Sequence, residues 1–162
     1  MKAITIHQPW ASAIALGLKH FETRSWPTAH RGWLLIHAGK QWNKDAVRFQ
    51  SEAVHHLRAA HGVDNKTVLE FEENPPLGVF VADAWLADCL PTDHLLVSPQ
   101  EKFFGDFSPG RFAWKFSYVR KFDEPVIWPG AQGIWDTTHY LTRWSKDLDS
   151  RRKEAAIASQ RP

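Results

Sequence analysis

Gly17-Leu18-Lys19-His20-Phe21-Glu22-Thr23-Arg24-Ser25-Trp26 is the stretch on which the reading of this chain turns, because it packs opposite charges and an indole into ten residues. In pattern form it is G-x-K-x-x-E-x-R-x-W. Upstream, Gln8-Pro9-Trp10 opens an apolar segment in which Pro9 suits the first position of a helix. Ala11, Ala13, Ile14, Ala15 and Leu16 continue that helix, and Gly17 suits a left-handed stop. Phe21, Thr23 and Trp26 then favour a strand, where side chains two apart share a face, so Glu22 and Arg24 stand together. Lys19 joins them only if the chain bends just after the helix stop. Two readings stay open: an edge strand with a surface ion pair worth roughly 0 to 1 kcal/mol, or a cleft of mutually paired charges. The apolar runs Ala11 to Leu16 and Trp33 to Ile36 place those charges beside a core, which tilts the balance towards the cleft.

With Ile6-His7-Gln8-Pro9-Trp10-Ala11-Ser12 before the motif, and Arg31-Gly32 and Ile36-His37-Ala38 after it, the chain resembles the ASCH domain, the activating signal cointegrator 1 homology domain. Further blocks follow in the family's order: Pro76 to Ala82, Gly110 to Trp114, and Pro125 through Gly130-Ala131-Gln132-Gly133-Ile134-Trp135. The resemblance implies an α+β, PUA-like fold, a small mixed β-barrel flanked by helices and related to RNA-binding domains. It covers about residues 3 to 136, so the domain is set at residues 1–136, and the pattern of residues 137–162 reads as a C-terminal amphipathic helix packed on it.

A chain of 162 residues is ample for one core and short for two. The formal net charge is +2, so nucleic-acid contact requires a local basic patch rather than global polycation character. The single cysteine, Cys89, excludes an internal disulfide, suits a reducing compartment, and reads as a buried small residue among Leu86, Ala87 and Leu90. No segment approaches the roughly 20 apolar residues needed to cross a bilayer, and the first residues lack a signal-peptide pattern. A soluble, cytoplasmic protein is expected.

Along the chain, Lys2 to Ile6 and Gly32 to Ala38 read as strands. Asn43 suits the cap of a helix to about Ala60, with Ala46, Val47, Ala53, Val54, Leu57 and Ala60 as its buried stripe. A short strand is expected over Thr67 to Phe71, a long one over Leu77 to Leu90 with a break near Asp88, and a loop from Pro91 to Pro109. Arg111 to Phe122 alternates, with Phe112, Trp114, Phe116 and Tyr118 on one face, and a last short strand covers Pro125 to Trp128. Asp136 suits the cap of a terminal helix with Tyr140, Leu141, Trp144 and Leu148 as its stripe and Arg143, Lys146, Arg151, Arg152 and Lys153 around it.

Nine tryptophans need an account. Trp33, Trp85, Trp114 and Trp144 lie in apolar patterns and read as core, whereas Trp10 and Trp26 bracket the charged motif and suit base stacking. His55 and His56 point apart on a helix, and Cys89 with His94 makes no ligand set, so no metal and no cofactor is expected. The preferred function is nucleic-acid binding, RNA before DNA and single strands before duplexes, or nucleotide binding. Lys19 and Arg24 supply charge and hydrogen bonds, Trp26 or Trp10 stacks, Gln8 reads a base edge, and Arg31, Lys40 and Lys115 contact the backbone.

The alternative is a hydrolase acting on a modified nucleoside or on RNA. The resemblance implies it, since some small ASCH proteins remove the acetyl group of N4-acetylcytidine with a lysine, a threonine and a glutamate, and others are linked to ribonuclease activity. Lys19 matches that lysine, but Glu22 stands where the threonine belongs, and a carboxylate is no substitute for a hydroxyl nucleophile. Lys19 and Glu22 still suit acid–base chemistry, with Asp83 as a candidate third carboxylate. A third class is a protein-interaction module whose C-terminal helix docks a partner.

Overall fold

The structure is a computed structural model and describes residues 1–60 and 62–137. The expected C-terminal helix, including Trp144 and the basic run around Arg151, lies outside the described residues.

Strands β1 (Lys2–Ile6), β2 (Phe21–Arg24), β3 (Gly32–Ala38), β4 (Val79–Pro91), β5 (Phe112–Ile127) and β6 (Ile134–Asp136) form one sheet in the order β2-β5-β4-β3-β1-β6. The β1–β3 pair is parallel and the others are antiparallel, so the sheet is mixed. It curls into a half-barrel, an α+β arrangement consistent with the PUA-like fold. Helix α1 (Trp10–Ala15) packs against β3, β4 and β5, burying Ala11 and Ile14 among Ile4, Leu34, Ile36, Ala84, Trp114 and Phe116. A second cluster joins α1 to α2 (Lys44–Ala59), α3 (Asn65–Glu72) and α4 (Pro99–Phe104) through Ala13, Leu18, Leu57, Phe71 and Phe104. Each fully buried leucine or phenylalanine there contributes about 1.5–3 kcal/mol by leaving water.

The local chemistry explains most boundaries. Gly17 takes φ +71°, and the amides of Leu18 and Lys19 both return to the Ala13 carbonyl at 2.8 and 3.2 Å. This is the bend that Lys19 requires. Pro9 precedes α1 rather than opening it, and the helix ends at Ala15 instead of Gly17. The Asn43 side chain accepts from the Ala46 amide at 3.0 Å and starts α2 as expected. Within α2, Val47 is exposed and Ala60 half-buried, while Gln50 is buried and donates to the Phe71 carbonyl at 2.7 Å and that of Glu73 at 3.1 Å.

Four expectations are corrected. Thr67 to Phe71 is helix, not strand: Asp64 caps it by accepting from the Thr67 amide at 2.9 Å, and Val68 and Phe71, three apart, bury one face. The loop before β5 contains α4, opened by Ser98, Pro99 and Glu101, a cap, first-turn proline and acid in the usual order. Pro125 to Trp128 is no separate strand, because β5 runs on to Ile127; Pro125 falls in the irregular stretch between the Ala82↔Lys121 and Phe80↔Val126 pairings, where a missing amide costs no ladder bond. Strand β6, not expected, pairs with β1.

The tryptophans divide. Trp114 is fully buried, but Trp33 is half-buried and Trp85 is exposed, stacked edge-on at 5.6 Å. Register shifts flanking Leu86 put Ser117 between the pairings Leu86↔Phe116 and Trp85↔Tyr118, so Trp114 and Phe116 point inward while Tyr118 faces solvent. The break expected near Asp88 is one of these shifts. Cys89 is half-buried rather than buried, and its Sγ accepts from the Thr28 amide at 3.4 Å.

Candidate functional site

The bend after α1 and the start of β2 bring three motif charges into one cluster. The Lys19 ammonium is 3.5 Å from Glu22 Oε2 and donates to the Phe21 carbonyl, while Arg24 Nε is 3.1 Å from Glu22 Oε1. Lys19 is 1% exposed and the Glu22 side chain 12%, so this is a buried pair and not the surface pair of the alternative reading. Arg24 also donates through Nη2 to the Thr5 carbonyl at 3.0 Å, which ties β2 to β1.

Lys19 and Glu22 line an open cavity of about 340 Å³ together with Trp10, Thr23, Phe49, Phe103 and Asp106. Its apolar wall is a run of stacked rings, Trp10 on Phe49 at 4.9 Å and Phe49 on Phe103 at 5.3 Å, and outside the lining Phe103 stacks in turn on His56 at 4.4 Å. Its polar side carries an ammonium, a carboxylate and the Thr23 hydroxyl, which accepts from the Asp106 amide at 3.1 Å. A flat, hydrogen-bonding ligand suits such a lining.

The geometry of Lys19 depends on a residue from α4. Glu101, buried, accepts from the His20 amide at 2.7 Å and the Phe21 amide at 3.2 Å, and its Oε1 is 3.0 Å from His20 Nδ1. The hydrogen bond to Glu101 raises the His20 pKa above its ordinary value, against the opposing effect of burial. A carboxylate 81 residues away thus clamps the segment between Lys19 and Glu22.

The profile of the ASCH domain matches residues 4–126. The chain belongs to the ASCH domain family. It is 36% identical over 87 residues to activating signal cointegrator 1 of Homo sapiens and 40% identical over 88 residues to its Mus musculus counterpart. Each match takes in 54% of this chain and only 14% of the relative, so the likeness concerns one part of much longer proteins.

Within this ASCH domain the motif residues have different fates. Trp10 borders the Lys19 cavity, whereas Trp26 packs edge-on against Trp114 at 4.7 Å, in the core rather than on the cavity wall. Gln8 is fully buried; its amide donates to the Pro76 carbonyl at 2.9 Å and accepts from the Ser12 amide at 3.0 Å. Arg31 bonds Asp88 at 2.9 Å, and Lys115 is the β5 register partner of Asp88, so both lie along that end of the sheet. Lys40, exposed, lays its stem over Gly78. Asp83 is buried in an ion pair with Arg120, its register partner on β5. It is not among the residues lining the Lys19 cavity.

Phe49, Phe103 and Glu101 escape sequence reading. Phe49, three residues after Ala46 and four before Ala53, flanks the buried stripe of α2, a usable signal, and the capping pattern at Ser98 points to α4.

Among the described residues no helix is long and apolar enough to cross a membrane, and no group of three or more metal-ligating side chains occurs.

Proposed function

We propose that this ASCH domain binds nucleic acid, RNA in the first place, holding one unpaired base in the Lys19 cavity. One observation carries the reading: a buried ammonium–carboxylate pair forms the polar side of a 340 Å³ cavity whose other wall is a stack of aromatic rings. A base placed there stacks on Trp10, the end ring of the run, and turns its hydrogen-bonding edge to Lys19, Glu22 and Thr23. Stacking of this kind contributes roughly 1–3 kcal/mol per base and tolerates any base, because each has a π-face. Duplex ends and paired bases do not enter, since the edge that Lys19 and Glu22 address is occupied by pairing.

Lys19 and Arg24 share Glu22, so little of their charge is left for phosphate. Backbone contacts fall to exposed cations such as Lys40 and Lys115, each contributing about 0.7 to the log–log salt slope on a single strand if it meets a phosphate. The test is retention of labelled single- and double-stranded RNA and DNA, with a panel of free nucleotides, from 50 to 200 mM salt. Single strands are expected to bind more tightly than duplexes of equal length, and Lys19→Met to weaken binding. Failure to retain any nucleic acid or nucleotide at low salt overturns the reading.

A further inference from the structure

Trp10 and Phe49 border not one cavity but two. The second, also about 340 Å³ and open, lies on the side of α2's first turn and is lined by His7, Gln8, Gln41, Asn43, Asp45, Ala46 and Arg48 besides the shared rings. The stacked Trp10–Phe49 pair, with its 4.9 Å separation, is therefore a common wall between two compartments of equal size, one around Lys19 and Glu22, the other around His7 and Gln41. Both sit at the low end of small-ligand pocket volumes, the scale of one nucleoside rather than two. The second compartment is polar and carries one carboxylate, Asp45, and one guanidinium, Arg48, so its formal charges balance. His7, Gln41 and Asn43 are exposed and present amide and imidazole groups, and Arg48 stands at its rim with three-quarters of its side chain in solvent, only loosely paired to Glu52 at 3.7 Å.

We infer that the binding unit of this domain is a dinucleotide step of single-stranded nucleic acid. One base occupies the Lys19 compartment, the next occupies the His7–Gln41 compartment, and the linking phosphate crosses the Trp10–Phe49 wall within reach of Arg48. The inference rests on the proposed function and adds its ligand size and second subsite. The two ring edges force successive bases to part around them, so the site demands an unstacked, flexible strand. Gln8, its amide committed to Pro76 and Ser12, acts as a fixed floor of the second compartment and not as a reader of bases.

The test titrates fluorescein-labelled oligouridylates and oligoadenylates of one to four nucleotides against the full chain. Affinity is expected to rise roughly 5- to 150-fold from one nucleotide to two, the range of two added hydrogen bonds, and to change much less from three to four. His7→Ala with Gln41→Ala, both at exposed positions, abolishes the one-to-two step and leaves mononucleotide affinity as it was; Arg48→Ala lowers the salt slope of the dinucleotide but not of a free nucleoside. A dinucleotide that binds no better than a mononucleotide overturns the two-compartment site alone, as does a step that survives the double substitution. Loss of the underlying reading looks different: no nucleotide of any length is retained.

Discussion

The Lys19 ammonium, 1% exposed, rests 3.5 Å from the Glu22 carboxylate, and Arg24 holds the other oxygen of that carboxylate at 3.1 Å. The three charges are unequal partners. Glu22 has two cations to satisfy it, whereas Lys19 has Glu22 and the Phe21 carbonyl.

Glu22→Ala leaves a buried ammonium without a carboxylate, a change that costs about 3–5 kcal/mol in comparable buried pairs. Lys19→Met keeps most of the volume and leaves Glu22 its ion pair with Arg24, so the loss is limited to about 1–3 kcal/mol for one charged hydrogen bond. Urea denaturation at unchanged m reads the difference. A larger loss for Lys19→Met than for Glu22→Ala contradicts this account of the cluster.

Asp83 and Arg120 form the second buried pair, Nε to Oδ1 at 3.2 Å with a further contact through Nη2. Arg120→Ala strands a carboxylate that is 1% exposed and is expected to cost about 3–5 kcal/mol. Replacing both at once, Asp83→Leu with Arg120→Met, is expected to be close to neutral, since no ion is left buried. Additive losses in the double variant would show that packing, not charge, decides at this position.

Two histidines give the stability opposite pH dependences. His37, 1% exposed, donates from Nε2 to the Trp128 carbonyl at 2.9 Å, and burial lowers its pKa below the ordinary 6.5. Its contribution is complete above that ordinary value and is lost as pH falls through it towards the folded value, because the unfolded chain takes up the proton first. His20, raised by Glu101, contributes fully below the ordinary value and loses that contribution as pH rises through its folded value. The His20 side chain is 55% exposed, so solvent screens its share and His37 dominates. Stability is therefore expected to fall from pH 7 to pH 5, and His37→Gln to flatten that limb; urea midpoints across the range decide it. In a parallel NMR titration, Glu101→Gln brings the His20 pKa down.

What the sequence revealed of this site is what lies close together in the chain. The Gly17 stop, the Asn43 cap and the Lys19-to-Arg24 motif are local patterns, and each forms as the local rules require. The choice between Trp10 and Trp26 was not local. Trp26 is drawn onto Trp114, 88 residues on, where its carbonyl accepts from the indole at 3.4 Å, and this leaves Trp10 at the cavity. Glu101 and Phe103 reach the site from α4 and Phe49 from α2, so no spacing rule connects them to Lys19. Trp85 and Tyr118 failed for another reason: a two-residue alternation cannot survive the register shifts beside Leu86.

Glu22 also separates binding from catalysis. In the binding reading its carboxylate orients Lys19 and meets the edge of a base, while its negative charge opposes any nearby phosphate. Glu22→Gln keeps the shape and one acceptor oxygen, so retention of single strands is expected to change little or to improve slightly at low salt. In the hydrolase reading that ASCH resemblance allows, the same carboxylate accepts a proton from water beside the Lys19 ammonium, and an amide cannot do that. Glu22→Gln would then abolish turnover with affinity nearly intact. Incubation of wild type and Glu22→Gln with N4-acetylcytidine and with labelled RNA, following product and retention in the same samples, distinguishes them. The expected result is retention by both proteins and turnover by neither. Product formed by the wild type and absent from the variant would make Glu22 a catalytic base and the cavity an active site.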